Sequence, residues 1–371
     1  MKSFNRLFAS GILLASITIA ACEETTTPPP PDQPPQISVS RQFTRNGNFP
    51  EDTTTGLQSN NAFDVLVDSQ GRTWISEQAG LSRFVGGTGD GTWNENNALP
   101  NPKCRGMLEH NGKLWTGTWG GGVAVYDMTG DVWSILNVDS GLVNNMVGSV
   151  AAAGDSIYMG TNSGASIYVD NDQIPMEDRW TTIPLTDEDE GTVGILTRVI
   201  SVVRVAYTPT RGMEVWFAPR MQSPVPEGEE ANYGITVYRE GQFQPIYYTT
   251  VNSDLAEPNV TDLYYDPDTD LFWLAFATSG VASLDVDGRA WTYYRMSDGL
   301  PSNVVYSVTK VGENIWVGTQ GGVARMNSNG TWQGYGRSGG LPGDRVRRVY
   351  SDNSSDLWAC IIDEGVALLK P

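Results

Sequence analysis

IWVGTQGGVARM, residues 315–326, sets an aromatic ring, a small residue, a threonine and a glycine turn between two short apolar runs. The chain repeats itself: LWTGTWGGGVAVY stands at 114–126 and IYMGTNSGASIY at 157–168. Each copy is too short to enclose a core, so each must bury its apolar faces against its neighbours, the mark of a repeat architecture. Aligned on the aromatic, the copies fall at Trp74, Trp115, Tyr158, Trp216, Trp273, Trp316 and Trp358. Most neighbours stand about 41–43 residues apart, the period of a four-stranded propeller blade. The two longer intervals flank Trp216 and must contain insertions.

Outward from 315–326 the unit reads as four strands: VVYSVTKV, NIWVGT, GVARMN and TWQGYG. The first recurs as VGSV at 147–150 and VISV at 199–202, with looser copies from Ala62, Cys104, Val260 and Val346. Such near-continuous apolar runs suit strands buried on both faces between adjacent blades. The seventh unit runs out after three strands, RVRRVYSD, DLWACIID and GVALLKP. ISVSRQFTR, residues 37–45, has the pattern of the missing fourth strand, and GLQSNNAFDV follows it where another unit carries GLPSNVVYSV. The expected fold is therefore an all-β, seven-bladed β-propeller over residues 37–371, closed by an N-terminal strand completing the last blade, which also covers exposed strand edges.

The recurrent aromatic is expected as a core ring between sheets, with its polar atom bonded. The position two residues on holds Gly117, Gly160, Gly318, Ser76, Ala218, Ala275 or Cys360, so it wants a small side chain, as a crowded position does. Cys104 stands at a buried first-strand position of unit two and Cys360 in unit seven, with unit one between them. That topology keeps their Cα atoms beyond disulfide reach, so both are expected as free thiols.

The sequence resembles the two-component regulator propeller repeats. The residues that carry the likeness are Asp298-Gly299-Leu300-Pro301-Ser302-Asn303, Trp316-Val317-Gly318-Thr319 and Gly321-Gly322-Val323, with matching sets in units two and three. It spans roughly residues 37–371. The family occurs in extracytoplasmic sensor regions of bacterial hybrid signalling proteins and in stand-alone secreted proteins. The resemblance implies a propeller that binds rather than a kinase, since no kinase module or membrane-spanning helix is legible in the chain.

Residues 1–21 read as an export leader: Lys2 and Arg6 precede an apolar run, Leu7 to Ala21, too short to span a bilayer. Ile19-Ala20-Ala21-Cys22 looks like a lipobox, so Cys22 is the expected lipidation site. Residues 22–36 follow as a Pro/Thr-rich, semi-rigid tether. The expected location is the bacterial envelope, lipid-anchored at the outer membrane; Glu23-Glu24 resembles a surface-export signal. The net charge is −19. That sign disfavours nucleic acid and leaves the lipid anchor as the only expected membrane contact.

In a four-stranded antiparallel blade the loop between strands two and three shares a face with the loop into the next blade. Both insertions, residues 184–198 with TDEDEG and 219–233 with RMQSPVPEGEEANY, fall on that face, and long loops in compact domains often bind. The candidate ligand-binding residues there are Asn60, Asn61, Trp119, Asn145, Arg198, Tyr233, Asn259, Asn303, Tyr306, Asp344 and Arg347. Asn, Asp and Arg beside aromatic rings suit sugars, which offer hydroxyls to bond and apolar faces to stack. An Asn at a strand entrance also closes its own turn.

Asp187 and Asp189 are weak Ca²⁺ candidates, because TDEDEG lacks the spaced geometry of a calcium loop, and no metal or cofactor is expected. The lone His110 lies in a hairpin of the opposite face, and no Ser-His-Asp set or phosphate-cradling glycine loop occurs. Three functions fit: a monomeric propeller binding a glycan fragment, peptide or protein without catalysis; a lyase or hydrolase of a glycan or cyclic peptide; and a scaffold subunit of an envelope complex.

Overall fold

The computed structural model describes residues 36–45, 47–49, 56–182, 199–219, 234–239, 246–287, 289–352 and 355–370. The leader, Cys22 and nearly all of the tether lie outside them.

Seven antiparallel sheets follow one another along the described residues, six of four strands and one of five. Blade six, built around the opening stretch, has strands Val305–Val311, Asn314–Thr319, Gly322–Met326 and Trp332–Tyr335, in that order across the sheet. Blade seven takes Val346–Tyr350, Leu357–Ile361 and Gly365–Lys370 from the C-terminus and Ser38–Thr44 from the N-terminus. The N-terminal strand pairs antiparallel with Gly365–Lys370, Phe43 opposite Val366 and Ser38 opposite Lys370. The ring closes as expected. A short fifth strand, Gly47–Phe49, extends this blade at its outer edge and had no counterpart in the sequence reading.

Each seam between neighbouring blades encloses its own apolar cluster, seven in all among the described residues. The repeated aromatics are buried in these seams, with Trp74, Trp115 and Trp216 fully enclosed. Their polar atoms depart from expectation. Trp74 Nε1 donates to Asp68 and Trp216 Nε1 to Glu214, but Trp115, Trp273 and Trp316 have no acceptor within reach. The area removed from water decides: a large ring is worth about 4–6 kcal/mol of burial, against about 1–3 for one unmade bond.

The small position is crowded by the next blade. A Cβ on Gly318 would lie 2.8 Å from the Val346 carbonyl oxygen, and one on Gly117 2.7 Å from that of Val147. Cys360 occupies this position in blade seven and, like Cys104, is a buried free thiol.

The repeated letters outside the core are stitches. Thr118, Thr161 and Thr319 each donate through Oγ1 to the carbonyl of the glycine that opens strand three, at 2.8–2.9 Å, and accept an N–H from the turn between. The segment before each first strand repeats a second stitch. Asn303 Oδ1 accepts from Met296 N at 2.8 Å, closing the connection from blade five, while the Asn303 carbonyl accepts from Gly280 N of that blade. Between them Gly299 has φ +102°, and a Cβ there would lie 2.1 Å from the Trp332 carbonyl oxygen, so no other residue fits.

Blade one breaks the threonine rule with Glu77, which is fully buried and accepts from Ser59 N and Ser82 Oγ. Burial pushes its carboxyl from about 4.5 up to about 7, against the lowering effect of those bonds. The folded state therefore holds a proton that the unfolded chain releases above pH 4.5. The contribution of Glu77 is fully present below that pH, declines as pH rises towards 7 and is flat beyond, for a loss of about 3 kcal/mol. Glu77→Gln removes this slope, so urea midpoints of wild type and variant should diverge between pH 5 and 8. Parallel pH profiles would show that Glu77 is ionised throughout.

Candidate functional site

The first strand of every blade carries an irregularity just inside its entrance, where the register with strand two shifts by one residue. A bulge re-aims a side chain. The residue left out of the register is Phe63, Gly106, Gly148, Ser201, Thr261, Tyr306 or Arg347, and all seven line one cavity of about 190 Å³ in the central channel, together with Arg105 beside Gly106. We call this ring the neck of the channel.

Directly beneath lies an ionic floor. Arg348 of blade seven reaches Asp64 of blade one at 3.0 Å and crosses to Asp262 of blade five at 2.7 Å; Arg204 of blade four meets Asp262 at 2.5 Å. Asp64 and Asp262 also accept backbone N–H groups of the following blade, from Met107 and Val308. Ser149 and Ser307 make the same inter-blade bond from the same position. For Arg204, burial outweighs the attraction of Asp262 and its pKa falls. For Arg348 the burial penalty, the largest single influence, is exceeded by Asp262 and Asp64 together, and its pKa rises. The floor is two cations and two anions, electrically balanced.

Above the neck the channel widens into a mouth of about 490 Å³, sharing Arg105, Ser201, Thr261, Tyr306 and Arg347 with the cavity below and adding Asn259 and Arg345. This volume falls within the range of small-molecule sites. No carboxylate lines the mouth among the described residues. Phe63 contacts two guanidinium groups, with Arg105 Cζ 3.8 Å and Arg347 Cζ 4.5 Å from its ring centroid. Arg347 donates to Asn61 Oδ1 at 2.8 Å and to the Ala62 carbonyl, and burial, with the nearby Arg345 cation, holds its pKa below the usual arginine value. Trp119 is half-buried beside the neck, its ring 5.2 Å from Arg105.

The structure thus gathers Asn61, Asn259, Tyr306 and Arg347 around one funnel, with Trp119 adjoining. It does not bring Asn60, Asn145, Asn303 and Asp344 there. Their side-chain oxygens accept from Arg45 N, Val138 N, Met296 N and Arg337 N, one stitch in four blades. Arg198, Tyr233, Asp187 and Asp189 lie outside the described residues, although the strand ends flanking both insertions emerge on the mouth side. His110 is on the opposite face, its Nε2 2.6 Å from the Gly154 carbonyl oxygen. Sequence reasoning missed Phe63, Arg105 and the four floor residues. For all but Arg204 the signal was there: polar or bulky residues one or two places after the aligned apolar residue of strand one; Arg204 stands four places after Ile200.

No protein-family model matches the sequence, and no curated protein matches it. Solved structures do. The extracellular domain of the hybrid two component system BT3049 from B. thetaiotaomicron superposes with TM-score 0.65 at 13% identity, over 84% of this chain and 40% of that one. The extracellular domain of the one component system BT4673 from the same organism gives 0.65 at 16%, over 90% and 39%. This chain is built as a propeller like theirs. PorZ, a surface component of the type-IX secretion system of Porphyromonas gingivalis, gives 0.63 at 11%, over 86% and 48%. The chain spans less than half the length of each of these three, and at such identities the likeness is one of fold.

Proposed function

We propose that this protein is a lipid-anchored, extracytoplasmic propeller that takes a ligand end-on into the funnel mouth and holds it without chemistry. The observation that carries the reading is the funnel: a mouth of small-molecule size in which Ser201, Asn259, Thr261, Tyr306 and three arginines stand among Val260, Ala277, Val304 and Ile362, next to an ionic cluster. The lipobox ending at Cys22 supports the anchor, and the fold shared with extracellular domains supports an extracytoplasmic setting. Among the three ligand classes first considered, a glycan fragment fits best, because Asn259, Ser201 and Thr261 offer neutral donors and acceptors beside the Tyr306 ring.

A glycan and peptide array probed with the purified chain tests this. A glycan signal should fall about tenfold in Tyr306→Ala, the scale of losing one anchoring contact, and also fall in Trp119→Ala, which releases Arg105. Equal signals from all three proteins would move the site elsewhere. Turnover of the bound glycan, abolished by the same substitutions, would replace holding by catalysis.

A further inference from the structure

Gly148 is a glycine for which the backbone gives no reason. Its φ lies outside the left-handed region, and a Cβ built on it would meet nothing beyond its chain neighbours nearer than the Ile200 carbonyl oxygen at 3.8 Å, an ordinary contact. The bulge glycine of the preceding blade differs. Gly106 has φ +29°, and a Cβ there would press on the Gly148 carbonyl oxygen at 3.1 Å. Glycine weakens a strand and forgoes packing, so it persists where conformation, crowding or a need for open space requires it. For Gly148 the first two are absent.

The space is the cavity of about 190 Å³ that Gly148 lines. At the same register position blades six, seven and one bring Tyr306, Arg347 and Phe63 to its wall, whereas blades three, four and five bring Gly148, Ser201 and Thr261. The two hydroxyls are turned into the wall: Ser201 Oγ donates to the Ala218 carbonyl at 3.4 Å and Thr261 Oγ1 to the Val305 carbonyl at 2.6 Å. One half of the ring is therefore bulky and the other bare. Protein interiors pack closely, and a side chain at position 148 would fill the space as its counterparts do. The cavity far exceeds the ~30 Å³ that one water claims, so it takes a group of several heavy atoms.

The chemistry of the cavity is set by Asp64, Arg204, Asp262 and Arg348, which all line it and are joined by three ion pairs. An apolar group would strip water from these charges and replace none of its hydrogen bonds. A hydroxyl donates and accepts at once, so it serves a carboxylate and a guanidinium together without breaking a pair. The cavity shares Ser201, Thr261 and Tyr306 with the mouth, which places both within reach of one molecule. Resting on the reading of the mouth as a binding site, we infer that this cavity is a second subsite, that it takes a hydroxyl-bearing end of the bound ligand, such as the hydroxymethyl group of a sugar, and that Gly148 sets its size.

An array of neutral glycans tests this with the full-length chain and its Gly148→Ala, Gly148→Phe and Tyr306→Ala variants, alongside their urea midpoints. Gly148→Phe should lose at least about tenfold of the glycan signal, the scale of shutting a group out of a fitted pocket, and Gly148→Ala less. The midpoint of Gly148→Ala should hold or rise, because alanine fits the native backbone and restricts the unfolded chain. Should Gly148→Phe fail to fold, Gly148→Cys takes its place. Cys104 and Cys360 are buried and inert, so benzyl methanethiosulfonate should label the new thiol, lower the signal about tenfold and release it on reduction, with treated wild type as control. Signal lost in Tyr306→Ala but kept in Gly148→Phe, or in labelled Gly148→Cys, overturns the subsite and leaves the mouth a binding site. An unreactive thiol at position 148, or a lowered midpoint in Gly148→Ala, also overturns it. Binding of no glycan by wild type overturns both.

Discussion

Phe43→Ala should lower the stability of the propeller by about 3–5 kcal/mol, the usual cost of emptying a buried aromatic site. Phe43 is fully buried on the N-terminal strand, edge-on to Phe84 of blade one at 4.6 Å and 5.8 Å from Trp358 of blade seven. It is therefore the ring that joins the first blade to the last across the closing seam. Deleting residues 37–45 should do more, since the pairing with Gly365–Lys370 goes with it. The measurement is the urea midpoint by tryptophan fluorescence. An unaltered midpoint in either variant would mean that the seam between blades seven and one holds without the N-terminal strand.

Asp262→Ala should cost about 3–5 kcal/mol, and Arg348→Met distinctly less. The asymmetry follows from sharing. Asp262 is nearly inaccessible and serves two guanidinium groups and the amides of Leu263 and Val308, so its removal leaves Arg204 without a counter-charge. Removing Arg348 leaves Asp262 with Arg204 and leaves Asp64 with the amides of Val65 and Met107. Arg348 is also 24% exposed along the channel, which screens its contribution. A double-mutant cycle between the two positions reports their coupling directly. Equal losses from the single variants would show that the two arginines are not linked through one carboxylate.

The fold was legible because a blade is a local object. Its period, its apolar first strand and its crowded small position are repeated with little variation, and even the N-terminal closure showed as a truncated last unit matched by a strand-like opening segment. The stitches were visible as letters and were open to two readings. Asn303 and Asn145 had the residue type of a sugar contact and of a turn closer, and the choice depended on whether an N–H lay within reach of the side-chain oxygen. The indole N–H groups of Trp115, Trp273 and Trp316 were misjudged for a related reason: pattern reports that a position is buried and says little about which polar atom finds a partner there.

The sequence alone determined how many wedges there are, which strand each segment makes and how the termini meet, because those features depend on side chains within one repeat and on the strand period. Only the tertiary structure decided what the channel contains. Phe63, Arg105 and Arg347 come from three blades, and Asp64, Asp262, Arg204 and Arg348 from four, and none is near its partners in sequence except by chance of numbering. Closing the ring brings them within contact, and the bulge in each first strand selects which of two adjacent residues faces the channel, a choice of about one residue in register that no alternation of apolar and polar letters records.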